Sequence, residues 1–86
     1  MMRHVFGMSA EEAKFELRRV LERLGFQVKE MDSEILAEKG SKAVRISLKE
    51  LGRSELNIPQ TEVVFECEEE IYRSILERLR LSRMGG

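Results

Sequence analysis

The sequence predicts an α+β fold, a two-layer sandwich in which an antiparallel meander sheet carries both helices on one face. Apolar residues recur at helical spacing near each end of the chain, and they alternate with polar residues in between. The dipeptide Gly40-Ser41 separates two alternating runs, as a two-residue hairpin turn does. The predicted order is therefore α-β-β-β-β-α, with a possible extra strand at the N-terminal edge.

Composition bounds the class of protein. The chain has 86 residues and a net charge of −1, which indicates one domain without long-range attraction for nucleic acid or anionic membranes. Cys67 is the single cysteine, no apolar run approaches the ~18 residues of a membrane span, and the N-terminus has no signal peptide. We therefore predict a cytoplasmic protein. The Glu and Arg bias of the charged residues is typical of proteins from hot environments.

The first helix is predicted over residues 9–24. Ser9 and Glu12 have the spacing of a capping box, and Gly25 suits the left-handed residue that follows a helix end. Phe26 then stands where a Schellman motif places its hydrophobic contact. The apolar stripe comprises Ala10, Ala13, Leu17, Val20, Leu21 and Leu24.

Three strands follow, over residues 26–31, 34–39 and 42–50. Glycine first in the Gly40-Ser41 loop suits a type II′ turn, because that position needs a positive φ. The turn pairs Lys39 with Lys42, Ala37 with Val44 and Ile35 with Ile46. If Asp32-Ser33 is also a two-residue turn, Val28 lies opposite Ala37 and extends the same apolar face.

Residues 51–60 are predicted to be irregular, because Gly52 interrupts the strand and Pro59 forces its neighbour into an extended conformation. We expect Leu51, Leu56 and Ile58 to lie under the sheet edge. A fourth strand over residues 61–66 can join either edge of the hairpin sheet after this connection.

The last helix is predicted over residues 67–83. Glu68, Glu69 and Glu70 in its first turn and arginines in its last turn both suit the helix dipole. Its buried stripe comprises Ile71, Tyr72, Ile75, Leu76 and Leu79. We expect a single domain over residues 1–86, with residues 1–8 as an arm or edge strand and residues 84–86 as a frayed tail.

No residue pattern indicates catalysis. His4 and Asp32 are the only residues of their types, and three adjacent glutamates point in different directions around a helix. Cys67 stands at a helix start among glutamates that raise a thiol pKa, so we interpret it as a small buried residue. We expect no catalytic residues, no metal site, no bound cofactor and no enzymatic activity.

The order of a helix, antiparallel strands and a second helix is similar to that of double-stranded-RNA-binding domains. Those domains place lysines at the start of their last helix, facing phosphates. This chain has Glu68, Glu69 and Glu70 there, and it has one strand more, so we do not assign it to that family.

Weak nucleic-acid binding through the outward face of the sheet is the alternative function. Its basic residues are Lys29, Arg45 and Lys49. The same face carries Glu34, Glu38, Glu62 and Glu66, and it has no aromatic residue on which a base could stack.

Apolar residues on outward faces carry the main functional prediction, a small protein-interaction or assembly module of unknown process. They are Phe15, Leu36, Val64, Leu81 and Met84. We expect a homodimer, with an unlike protein partner as the other possibility. Two alternatives stay open: Phe15 packs under the N-terminal arm with Val5 and Phe6, or a ligand pocket lies between residues 51–60 and the first helix.

Overall fold

A computed structural model gives one five-stranded antiparallel sheet with two helices packed against one face, which confirms the predicted α+β architecture. The structure describes the backbone of residues 1–84 and the side chains of residues 1–81. The elements are β1 (Met2–Phe6), α1 (Ala10–Arg23), β2 (Gln27–Glu30), β3 (Glu34–Lys39), β4 (Lys42–Arg53), β5 (Pro59–Glu66) and α2 (Glu69–Met84). Across the sheet the strand order is β1-β5-β4-β3-β2.

Both ends of α1 are capped as predicted. The Ser9 hydroxyl accepts a hydrogen bond from the Glu12 amide at 3.2 Å and donates one to the Glu12 carboxylate at 3.4 Å. At the other end Gly25 has a φ of 92°, and the Phe26 amide donates to the Leu21 carbonyl at 2.9 Å. This is a Schellman motif, and it directs Phe26 into the core.

The hairpin between β3 and β4 has the predicted register. Gly40 has a φ of 60°, and Lys39 pairs with Lys42, Ala37 with Val44 and Ile35 with Ile46. The turn between β2 and β3 is also confirmed, because Val28 pairs with Ala37. The apolar residues of these three strands therefore share the face that the helices cover.

The prediction for residues 51–60 was wrong. Gly52 does not end the strand: β4 continues to Arg53, and the register between β4 and β5 shifts between Glu50 and Gly52. A glycine with a φ of 90° accommodates such an irregularity within a strand. The connection to β5 shortens to residues 54–58, and Leu51, Leu56 and Ile58 are exposed rather than tucked under the sheet edge.

The sequence left open which edge the fourth predicted strand joins and whether residues 1–8 form a strand. β5 pairs with β4 and continues the meander, and β1 pairs with β5 as the N-terminal edge strand. Its register sets Phe6 opposite Thr61. Phe6 thereby packs against the core, whereas Val5 lies opposite Glu62 on the other face.

The core lies between the sheet and the two helices. Ile71, Ile75 and Leu79 of α2 are buried as predicted, with Tyr72 and Leu76 packed against the same cluster. The helix includes Met84, which was predicted to lie in a frayed tail over residues 84–86, and Gly85 and Gly86 lie outside the described residues. Within residues 1–84, neither helix has the length and hydropathy needed to cross a membrane.

Candidate interaction surfaces

The residues with reactive side chains lie apart from one another. His4 stands at the sheet edge with its ring 4.6 Å from that of Phe6, and Asp32 lies in the turn between β2 and β3. Among the described residues, no three His, Cys, Asp or Glu side chains are grouped so that they could hold a metal ion.

Cys67 packs partly buried against the core, just before α2. Burial raises the pKa of its thiol above the ordinary value, and the neighbouring Glu68 adds a smaller contribution in the same direction. Sequence reasoning attributed the higher pKa to acidic neighbours, but desolvation is the larger cause. The thiol is therefore protonated at neutral pH, when it is a poor nucleophile.

The uncovered face of the sheet, which we call the open face, carries charges that alternate in sign from strand to strand. The residue pairs between neighbouring strands show which side chains lie on this face, because the side chains of two paired residues point to the same side of the sheet. From β1 to β2 the columns are Arg3; Glu62 and Glu66; Arg45 and Lys49; Glu34 and Glu38; and Lys29. Four basic and four acidic residues make the open face neutral as a whole.

Arg45 stands at the centre of the open face between two carboxylates. Its guanidinium lies 3.0 Å from Glu34 and 3.7 Å from Glu66. The hydrogen bond to Glu34 and the charge of both carboxylates raise the pKa of Arg45. A phosphate would have to compete with these carboxylates for Arg45. This competition disfavours phosphate binding at Arg45. Nucleic-acid binding through Lys29, Arg45 and Lys49 stays a prediction.

Leu36 and Val64 also lie on the open face, and both are half-buried. Leu36 pairs with Arg45 on β4, and Val64 pairs with Ser47 on the same strand. The two apolar side chains thus flank the central strand. With Val5 at the β1 edge, they are large apolar side chains on a surface whose other residues are mainly charged or polar.

Phe15 lies in the other layer, on the outer side of α1, with 49% of its surface exposed. The guanidinium carbons of Arg18 and Arg19 lie 5.7 and 5.6 Å from the centre of its ring, within cation–π range. In the described part of the chain Phe6 is in the core and Val5 is on the open face, so the N-terminal arm does not cover Phe15.

A groove follows the seam between α1 and α2, and we call it the helix groove. Two adjacent cavities of about 150 and 330 Å³ make it up, and they share Arg78 and Leu81. Its lining residues are Glu16, Arg19, Val20, Arg23 and Leu24 of α1 and its C-cap, and Arg73, Ser74, Glu77, Arg78 and Leu81 of α2. Sequence reasoning missed this groove. Its one visible signal was the pair Arg19 and Arg23, four residues apart on a helix.

The five predicted interface residues do not form one surface. Phe15 and Leu81 belong to the helical layer, whereas Leu36 and Val64 belong to the open face. The side chain of Met84 lies outside the described residues. The predicted residues that the structure describes therefore lie on two separate surfaces, one on each side of the molecule.

The hairpin tip is a third apolar region, formed by Leu51, Leu56 and Ile58. Leu56 is 80% exposed. A ligand pocket between this segment and α1 stays a prediction. Next to the segment, the Glu50 carboxylate accepts a hydrogen bond from the Ala10 amide at 3.3 Å.

The model of a protein family, CHP_AF_0576, matches residues 17–86 and carries the description "Uncharacterised protein". The match runs from within α1 to the last residue, and therefore covers more than half of the chain.

Proposed function

The chain belongs to the CHP_AF_0576 family, and we propose that it is a non-catalytic protein-interaction module that pairs with a second copy of itself. The open face is the observation that carries this proposal. Both helices pack on the opposite face of the sheet, and Leu36 and Val64 stand half-buried on a surface that nothing in the chain covers within the described residues.

The size of the open face supports a weak dimer. Five strands about 4.8 Å apart, each with about five residues at roughly 3.3 Å, span roughly 400 Å² per copy. Side-chain relief makes the accessible area larger, so two stacked copies approach the ~1,000 Å² in total at which specific interfaces begin. A dimer of this kind dissociates on dilution.

The charge pattern of the open face suits pairing with itself. If the two-fold axis runs between β4 and β5, the basic column of Arg45 and Lys49 faces the acidic column of Glu62 and Glu66 in the other copy. Arg45 already has carboxylate partners within its own chain, so its charge would not be buried alone. Complementary columns also define one alignment of the two sheets.

We place this module in the cytoplasm. The support is the single cysteine, which gives the chain no intrachain disulfide, as is usual in a reducing compartment.

The test is the solution mass over a range of protein concentrations, measured by light scattering and sedimentation. We expect the wild type to shift from monomer to dimer, and Leu36→Glu to stay monomeric at every concentration. Leu56→Glu is the matched control, because it makes the same chemical change at the exposed hairpin tip. Circular dichroism checks that each variant is folded.

Two results would overturn the proposal. One is a wild type that stays monomeric at the highest concentration reached. The other is a Leu36→Glu variant that dimerises as well as Leu56→Glu does, since the open face would then have no part in association.

A further inference from the structure

We infer that the helix groove is a docking site for an acidic, amphipathic segment of a partner protein. The inference shares with the proposed function the idea of an interaction module, but it concerns the layer opposite to the open face. It therefore holds or fails separately from self-association.

The first observation is that three arginines of the groove have no ion pair among the described side chains. Five other arginines among the described side chains have polar partners: Arg3, Arg18, Arg45 and Arg73 lie in ion pairs, and Arg53 donates to the Asn57 carbonyl. Arg73 belongs to the second cavity of the groove, where Glu69 pairs with it. The ion pairs of the described side chains do not include Arg19, Arg23 or Arg78. Those three line one cavity of the groove together.

Three guanidinium groups around one cavity favour an anionic ligand. Each can bind a carboxylate through two parallel hydrogen bonds, which is stronger than a contact with a single ammonium. The acidic residues of the groove, Glu16 and Glu77, do not pair with them in the described structure. Positive charge in the groove is thus left for a ligand to neutralise.

The second observation is the apolar surface among these charges. Leu81 stands in the groove with 56% of its surface exposed, and Val20 and Leu24 line the walls beside it. A small anion such as phosphate would leave Leu81 in water. A segment with apolar and acidic residues on one side would cover Leu81 and meet the arginines at the same time.

Nucleic acid fits the groove less well than an acidic peptide does. Bases need a free aromatic face for stacking, and the nearby Phe15 ring already has two guanidinium groups over it. The net charge of −1 also gives no long-range attraction for a polyanion. The local positive charge instead suits a short acidic segment at close range.

The length of the groove sets the length of the ligand. Its α1 side runs from Glu16 to Leu24, about 12 Å along a helix at roughly 1.5 Å per residue. About two turns of a partner helix cover that distance, with anchors at spacings of three, four and seven residues.

The test uses a labelled helical peptide of about four turns, with leucines on one side flanked by glutamates. Fluorescence anisotropy measures its binding to the full chain, with a second peptide in which glutamine replaces each glutamate. We expect the acidic peptide to bind at least about tenfold more tightly than its glutamine counterpart. We also expect the difference to shrink when salt rises, because salt screens exposed charges.

The matched variants are Arg78→Glu and Lys29→Glu, which make the same change in net charge on opposite layers. We expect Arg78→Glu to weaken the acidic peptide by about tenfold or more and Lys29→Glu to leave it unchanged. Arg78→Gln serves as a second variant if the charge reversal disturbs folding, and it should weaken binding in the same direction.

Several results would overturn the inference. They are equal binding of the two peptides, equal effects of Arg78→Glu and Lys29→Glu, absence of peptide binding, or Arg78-dependent binding of a single-stranded RNA in place of the peptide. The Leu36→Glu variant separates the two proposals. It should bind the acidic peptide like the wild type, whatever its effect on dimerisation.

Discussion

The Thr61 hydroxyl donates a hydrogen bond to the Met8 carbonyl at 2.8 Å, and Thr61 is fully buried. This bond joins β5 to the segment between β1 and α1. It also explains why a polar residue stands on the inward face of β5, where its neighbours Val63 and Phe65 are apolar.

Replacing Thr61 by valine keeps the shape and removes the hydroxyl. We expect Thr61→Val to lower the free energy of unfolding by about 1–2 kcal/mol, because a buried hydrogen bond is lost. Thr61→Ala should lower it by roughly a further 1 kcal/mol, through the lost methyl group. Urea titrations measure both, and a Thr61→Val midpoint equal to that of the wild type would show that the bond adds no stability.

Gly25 and Gly52 both have a φ near 90°, but they differ in surroundings. Alanine at either position has to adopt a left-handed conformation, which costs about 1–2 kcal/mol. At Gly52 an added Cβ would meet open space, whereas at Gly25 it would lie 3.2 Å from the end of the Lys39 side chain. That side chain also donates to the Leu24 carbonyl at 2.7 Å.

We therefore expect Gly25→Ala to destabilise the protein more than Gly52→Ala does. Thermal and chemical unfolding of the two variants provide the comparison. Equal losses would mean that the cost lies in the backbone alone and that Lys39 moves aside freely.

The thiol of Cys67 provides a pH-dependent prediction. Burial raises its pKa in the folded state, so the unfolded chain releases this proton at a lower pH than the folded chain does. Folding stability then falls as pH rises from the unfolded to the folded pKa, because the folded state binds more protons in that interval. Cys67→Ser should flatten the stability profile at alkaline pH.

The same shift makes Cys67 slow to alkylate. We expect iodoacetamide to react with the folded protein more slowly than with the urea-unfolded chain at the same mildly alkaline pH. Equal rates would contradict the assignment of Cys67 as a protected, protonated thiol.

Ser9 provides a test of the start of α1. Ser9→Ala removes the acceptor of the Glu12 amide and should cost about 1 kcal/mol of stability. Ser9→Asp keeps an acceptor and adds negative charge at the positive end of the helix, so its stability should stay near that of the wild type. A Ser9→Asp loss as large as that of Ser9→Ala would point to packing of the half-buried Ser9 rather than capping.

Elements set by neighbouring residues were predictable from the sequence. The caps of α1 and the register of the β3–β4 hairpin depend on residues a few positions apart. Ser9, Gly25 and Gly40 each favour the local conformation that is found at their position. Gly52 was misread because a left-handed glycine can end a strand or lie within an irregular one, and pairing with β5 decides between them.

The surfaces were harder to predict, because they join residues that are distant in the chain. Alternation along each strand identified Leu36 and Val64 as outward, but the alternating columns of charge depend on the complete strand order. Arg78 meets Arg19 and Arg23 only because α2 packs beside α1. The residue pattern of one helix does not show which residues of the other helix lie beside it.

The strand order also bears on the sequence of events in folding. Neighbouring strands from β2 to β5 follow one another along the chain. In contrast, the pairing of β1 with β5 joins residues separated by most of the sequence, with Met2 opposite Phe65. Contacts between residues that are near in sequence form sooner, because closing a short loop costs less chain entropy than closing a long one. We expect the amides of β1 to gain protection in pulsed hydrogen exchange after those of the β3–β4 hairpin. The strand that precedes the others in this sequence would then be the last to join the sheet.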